Sequence, residues 1–420
     1  PASIDYVLLT HGHLDHCGLL PRAVARGLNC SIITTEPSVD LARIIMEDSA
    51  EIQEEDAAYK RKRHEREGRK GPHPVEPLYT LADAELAAKL LEGVRYNEPI
   101  ELSDRVTVTF REAGHILGSA ILDIVCRNGS SENRIVFSGD LGQWDKPLIG
   151  DPQFVERADY VVMESTYGDR NHCDEGTPED QLAAVAERTL GRGGNLVIPT
   201  FAVERAQEMA YYFGQLAHGG RAPRVPIGLH RPRPVDRTAA GRKRRGYLAA
   251  QARALFDDGR PPLRYEQLKL VRSVDESKAI NYHKGPCIIM SASGMCTGGR
   301  IKHHLRYNIG RPESTILFVG YQAEGTLGRI ILSRPEKVRI HGHHYPLRAE
   351  TAQVCGFSAH GDRDDLLRWL AHFTEPAKHL FLTHGDADVA TKLQRTMDRK
   401  IGWQVSVRAY EHVFEAGSHR

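Results

Sequence analysis

Residues 6–16 read Tyr6-Val7-Leu8-Leu9-Thr10-His11-Gly12-His13-Leu14-Asp15-His16, an apolar run that breaks into three imidazoles and a carboxylate. A short apolar run ended by a glycine turn predicts a buried strand over Tyr6–Thr10. A loop opening at such a strand's end is held by a rigid scaffold, which is where folds present chemistry. Imidazole nitrogen and carboxylate oxygen are ligands that zinc accepts. With Gly12 permitting a tight turn, alternate side chains can address two neighbouring metals. A polar turn with hydrogen-bonded histidines is the plainer reading, and a lone histidine would favour it. His11, His13, Asp15 and His16 within six residues favour metal binding.

The arrangement recurs downstream. The predicted strand Val106–Phe110 leads to His115, Arg134–Ser138 to Asp140, Tyr160–Met163 to Glu164, and His379–Thr383 to His384. Taken singly, each polar residue reads as a cap or turn; together with HGHLDH they complete two metal shells. In Phe357-Ser358-Ala359-His360-Gly361-Asp362, Asp362 or Ser358 can cap the predicted helix Asp364–Phe373, leaving His360 free for chemistry.

The rest of the chain frames these motifs. Its 420 residues suggest two to four domains at roughly 100–200 residues each. A hydrophobic content of 40% supplies real cores and excludes a disordered chain. Lysine and arginine number 56 against 55 acids, which excludes a strongly basic nucleic-acid binder but not a local basic groove. No long uncharged apolar run predicts a membrane helix. Seven scattered cysteines without a CxxC pair fit a reducing cytoplasm and no disulfide framework. Further strands are predicted at Asn195–Pro199, Cys287–Met290 and Thr315–Val319. Helices are predicted at Pro37–Ala50, Leu81–Leu91, Pro178–Leu190, Val203–Leu216 and Ala390–Arg399, so the class is α/β. The chain opens at Pro1, just before a buried-type strand, so N-terminal strands of the first domain are expected to be missing.

In the order HGHLDH, AGHILGSA, SGDLG, ESTYGDR, GFSAHGD and LTHGD, the motifs resemble those of the β-CASP branch of the metallo-β-lactamase superfamily. IPTFAVERAQE, SASGMCTGGR and VGYQAEGTLGR resemble its inserted domain. The likeness runs over nearly the whole chain. It implies a four-layer αβ/βα metallo-β-lactamase fold over 1–168 and 354–420, with an α/β β-CASP domain inserted at 169–353. It implies two Zn2+ ions, one on His11, His13 and His115, the other on Asp15, His16 and His384, with Asp140 between them. Asp15 would then serve catalysis as well. His360 would be the general acid, oriented by Glu164. The activity implied is a zinc-dependent ribonuclease using a two-metal hydroxide mechanism, as endonuclease, with a 5′-exonuclease activity left open. The implied partner is single-stranded RNA, with no membrane and with a homodimer permitted. The rival readings are a small-molecule metallo-hydrolase of the same superfamily and a non-catalytic scaffold subunit.

Three stretches stay open. Lys60–Lys70 reads as a solvated helix end or as a track for an RNA backbone. Ser293–Arg300 reads as a glycine-rich turn or as a phosphate cradle. His230–Arg245 carries seven basic residues and one acid, with Val235, Ala239 and Ala240 as its only aliphatic side chains besides proline. It reads as a basic RNA-guiding loop or as a locally frameshifted segment, and it is expected to be exposed and poorly packed.

Overall fold

The run Tyr6–Leu8 forms β1, which leads into α1 (Leu14–Cys17) and α2 (Leu20–Ala25) in a computed structural model. The structure describes residues 1–68, 71, 73–172, 176–201, 205–221, 225–230, 245–247, 249, 266–271, 273–354, 356–407 and 413–414. β2 (Ser31–Thr35) pairs with β1, and after α3 (Glu36–Arg66) and α4 (Leu81–Lys89), β3 (Leu91–Val94) completes a parallel sheet β1-β2-β3. Thr35 starts α3 by accepting the Ser38 amide, with Pro37 in the first turn. α3 runs past the expected Ala50, so Lys60–Arg66 form a helix end; Lys, Arg and Glu are good helix formers and no Gly or Pro intervenes. Leu91, expected in the preceding helix, instead opens β3.

β4 (Pro99–Ser103), β5 (Val106–Glu112), β6 (Ala120–Asn128) and β7 (Ser131–Phe137) are antiparallel neighbours, and β8 (Tyr160–Glu164) joins β7 in parallel. The chain then builds a second unit. α5 (Pro178–Gly191), β9 (Leu196–Pro199), α6 (Arg205–His218), β10 (Ile227–His230), β11 (Leu268–Val271), α7 (Val274–Asn281), β12 (Ile288–Ser291), α8 (Ile301–Asn308) and β13 (Thr315–Phe318) follow. After α9 (Leu327–Leu332) and the hairpin β14 (Lys337–Ile340) and β15 (His343–Pro346), β16 (Glu350–Gln353) closes an all-parallel sheet, β11-β10-β12-β9-β13-β16. Its four inner strands are buried on both faces because helices cover both. Leu196 and Ile198 face one core with Phe213, while Val197 faces the other with Leu305.

Finally α10 (Arg363–Leu370), β17 (His379–Thr383), α11 (Ala387–Lys400) and β18 (Val405–Val407) return to the first unit. They complete a seven-stranded sheet, β18-β17-β8-β7-β6-β5-β4. Three cores stack in series. Helices α3 and α4 pack on the small sheet around Ile32, Met46 and Ala84. The two sheets meet through Ile33, Val108 and Phe110. Val161, Met163 and Leu380 pack against Trp369 and Leu393 of α10 and α11. Ile32 and Ile33 separate because successive strand residues point to opposite faces. The result is helix, sheet, sheet, helix, the four layers expected, with the second α/β unit inserted between β8 and α10.

The expectation for His230–Arg245 fails at its first residue, because His230 ends β10 and is buried. Arg245–Tyr247 forms a short 3-10 turn, and residues 231–244 lie outside the described residues. No helix among the described residues is long and apolar enough to cross a membrane.

Candidate metal centre

The loop after β1 makes His13 the N-cap of α1 and puts Asp15 and His16 in that helix's single turn. Gly12 packs directly on α3, where a Cβ would lie 2.9 Å from the Ala42 amide nitrogen and from Leu41 Cβ. Only glycine admits that approach, and it seats the ligand loop on the longest helix. His115 lies between β5 and β6, Asp140 after β7, and His384 directly after β17 in the left-handed region at φ 50°. A Cβ on Gly142 would overlap the Gly114 carbonyl, so the Asp140 and His115 loops touch backbone to backbone.

These side chains converge. His13 Nδ1 lies 3.0 Å from His11 Nε2 and 3.1 Å from His115 Nε2. Asp140 Oδ2 is 3.5 Å from both His11 Nε2 and His115 Nε2. In the second group, His384 Nε2 lies 3.2 Å from His16 Nε2 and 3.4 Å from Asp15 Oδ2. Asp140 reaches this group too, Oδ2 at 3.2 Å from His16 Nε2 and Oδ1 at 3.5 Å from His384 Nδ1. Ligand atoms within each group lie no more than 4.8 Å apart. A further group joins Asp140, His360 and His384.

The donor set fits a divalent metal. Three ring nitrogens and one carboxylate facing a common point form the donor set of tetrahedral zinc chemistry. Burial depresses His11, His115 and His13, the last to about 4, against the opposing pull of Asp140 and Asp15. All three are held neutral, the form that ligates. Burial alone would raise Asp140, but the surrounding imidazoles hold it well below the usual carboxylate range. His384 differs: burial would lower it, yet its hydrogen bond to Asp15 raises it to about 9.

Sequence reasoning missed the residues behind the ligands. Thr10 Oγ1 contacts His11 Nδ1 at 3.2 Å and His16 Nδ1 at 3.4 Å, which leaves both Nε2 atoms for the centre. Thr166 Oγ1 meets His384 Nδ1 at 3.2 Å. Ser119 Oγ accepts the amides of His115 and Ile116 at 3.0 and 3.2 Å. Partners of this kind fix ring orientation. Only adjacency could have flagged Thr10; nothing in the sequence ties Thr166 to His384. Phe201, from the second unit, lies 6.5 Å from the His13 ring.

His360 and Glu164, nearly 200 residues apart in the chain, meet directly: His360 Nδ1 is 2.9 and 3.1 Å from the two carboxylate oxygens. Burial would lower the His360 imidazole, but the Glu164 charge and hydrogen bond outweigh it and raise its pKa. Glu164 itself is buried and also accepts the Leu141 amide at 2.7 Å, so one carboxylate ties His360 to the Asp140 loop. The backbone bridge between Gly142 and His360 fixes the same approach. Asp362, as anticipated, caps α10 through the Asp364 and Asp365 amides.

Residues 1–143 match the family model of a metallo-beta-lactamase superfamily domain, 206–331 that of a Beta-Casp domain, and 344–408 that of a Zn-dependent metallo-hydrolase RNA specificity domain. A ribonuclease of Thermus thermophilus is 36% identical over 98% of this chain and 88% of its own length. A transcription termination factor of Methanosarcina mazei is 31% identical over 95% of this chain, which spans 61% of that factor's length. An RNase J-like protein of Methanocaldococcus jannaschii is 28% identical over 91% of this chain and 82% of its own length.

Proposed function

Because the chain belongs to the β-CASP family of the metallo-β-lactamase superfamily and is 36% identical to a ribonuclease, we propose that it hydrolyses phosphodiester bonds of single-stranded RNA. The observation that carries this is the convergence of two ligand groups on one carboxylate, Asp140, beside the His360–Glu164 pair. The RNA preference rests on the ribonuclease relative and on the RNA-specificity match, which spans both His360 and His384.

In this reading His11, His13 and His115 would hold one zinc and Asp15, His16 and His384 a second, with Asp140 serving both groups. The bound metals would supply Lewis-acid activation of water and neutralise charge on the phosphate. The chain's own residues do the rest. Hydrolysis adds a water oxygen to phosphorus and breaks the P–O3′ bond, and the departing oxygen needs a proton. His360 uses Nδ1 on Glu164, so Nε2 is the atom that gives this proton, and Glu164 stabilises the charged imidazole beforehand. The products are a 3′-hydroxyl and a 5′-phosphate. Phe201 of the second unit, 6.5 Å from the His13 ring, puts the ligands beside both units, and a substrate lying between two units suits a single strand better than a duplex. The domain limits in this scheme are 1–168 and 354–420 for the metallo-β-lactamase unit and 169–353 for the β-CASP unit.

The test is cleavage of end-labelled RNA and DNA of one sequence, with metal analysis of the same preparation. Cleavage of RNA that stops on chelation and returns with zinc is expected. Turnover of an activated ester with none of RNA would leave a small-molecule hydrolase. Neither activity in a metal-loaded protein would leave a scaffold subunit.

A further inference from the structure

Charges balance over the whole chain, 56 basic to 55 acidic, yet two stretches hold basic residues and no acid. They are Arg300–Arg311 (RIKHHLRYNIGR) and Lys337–Arg348 (KVRIHGHHYPLR). The fold joins them. The His303 and His341 rings lie 4.6 Å apart, and the Arg348 amide donates to the Ile309 carbonyl at 2.9 Å. α8 turns Ile301, His304, Leu305 and Asn308 into the core, which leaves His303, Arg306 and Tyr307 exposed and Lys302 half-buried. On the hairpin, Lys337, Arg339, His341, His343 and His344 are exposed. A charge-balanced chain does not gather cations on one face without cost, because like charges repel.

Two exposed aromatics stand in the same surface. Tyr282, at the end of α7, is 70% exposed and Tyr307 is 42% exposed, with their hydroxyls 3.4 Å apart. The Arg306 guanidinium lies 5.8 Å from the Tyr307 ring. Exposed rings beside cations form the platform on which unpaired bases stack. Of the carboxylates nearby, Asp275 lies 3.6 Å from Lys278 and Glu313 2.8 Å from Arg311, while Glu336 is exposed at the foot of the hairpin and Asp56 of α3 acts on His341.

The surface also connects to the metal centre. Gly294 lies against the Phe201 ring, where a Cβ would come within 2.7 Å, and Phe201 faces His13. The chain from Gly294 leads directly into α8.

We propose that this face is a binding track for single-stranded RNA outside the cleft, with phosphates on Lys302, Arg306 and Arg339 and bases stacked on Tyr282 and Tyr307. It rests on the RNA reading above and adds to it the place where the strand runs beyond the cleaved bond. A duplex, whose bases are already stacked and paired, cannot use the tyrosines.

The test separates binding from cleavage. Binding is followed by fluorescence anisotropy with the chelator-treated full chain, using a single-stranded RNA of about 20 nucleotides, its duplex, and an oligomer of about five. Y282A/Y307A should lose about tenfold or more in affinity for the long single strand. K302A/R306A should lower the salt dependence of that affinity by about 0.7 in log–log slope for each phosphate left without its cation. Both variants should keep the wild-type melting temperature and, with zinc restored, hydrolyse the short oligomer at the wild-type rate. Unchanged affinity of both variants for the long strand overturns the track, as does equal wild-type affinity for duplex and single strand. A changed oligomeric state without changed RNA affinity assigns the face to a second copy of the chain and overturns it too. If the wild type binds RNA through this face but never cleaves it, the hydrolytic reading fails and the track stands.

Discussion

Two groups of histidines gather beside strand ends in this molecule, and they are chemically opposite. At the ends of β1 and β5, His11, His13 and His115 turn their nitrogens toward one another and toward Asp140, within 3.0–3.5 Å. At the end of β10, His230 stacks on His304 with ring centroids 4.3 Å apart. There His304 spends its nitrogens on Asn281 Oδ1 at 2.8 Å and Ser277 Oγ at 3.4 Å, while both His230 nitrogens are buried without a hydrogen-bond partner among the described residues. Burial depresses both, His230 to about 3 and His304 to about 4, and Arg300 adds to it. Burial therefore yields neutral imidazoles in either place. A cation site needs more: lone pairs that converge, and a carboxylate among them whose charge repays the metal's desolvation.

The sharpest way to break this contrast is to remove the carboxylate. Asp140→Asn keeps the shape and deletes the charge shared by both ligand groups. Zinc affinity, measured by competition with a chelating dye, should fall well beyond the 10–100-fold typical of losing a partner behind the ligands. His230→Leu should leave metal content at the wild-type value. Two tightly held zinc ions in the Asp140→Asn protein would refute the shared role.

A second, smaller effect separates ligand from acid within the first region. His360→Ala should reduce RNA cleavage by about 10²–10⁴-fold, the range for a positioned proton donor, and leave both metals bound. Because His360 also lies within ligand distance of Asp140 and His384, loss of zinc along with activity would reassign it as a ligand.

Much of the first region was legible because its chemistry is written in local motifs. HGHLDH follows a strand, and a strand end fixes where its loop opens. The four layers came from the resemblance and not from a local pattern, because β2, whose Ile32 and Ile33 point to opposite sides, carries no motif of its own. What stayed hidden depended on long-range contact. Thr166 behind His384 comes from β8 meeting β17, which no local pattern announces. The length of α3 was missed because its charged end lacks the apolar face that marks a packed helix. The basic face of α8 and the hairpin β14–β15 was invisible as a unit, because its two stretches lie 25 residues apart and only the fold brings His303 to His341.

The smallest effect comes from the second region and reads its burial directly. In the unfolded chain His230 has the ordinary imidazole pKa of about 6.5, and in the folded protein burial pushes it down to about 3. As pH falls below about 6.5 the unfolded chain takes up a proton that the folded protein refuses. The stability that neutral His230 allows is thus complete above about 6.5 and is lost progressively toward pH 3. At pH 5 the loss should be on the order of 1–2 kcal/mol, since each unit of separation is worth about 1.4 kcal/mol. His230→Leu cannot titrate, and it also removes two buried polar nitrogens, so it should be no less stable than wild type near neutrality. Urea unfolding of both proteins at about pH 7.5 and pH 5 isolates the term, because the metal centre's own pH dependence is common to both. The gap in favour of the variant should widen by roughly 1–2 kcal/mol at the lower pH. A gap of equal size at both pH values would show that His230 is protonated or solvated, and the contrast between the two histidine groups would then rest on the carboxylate alone.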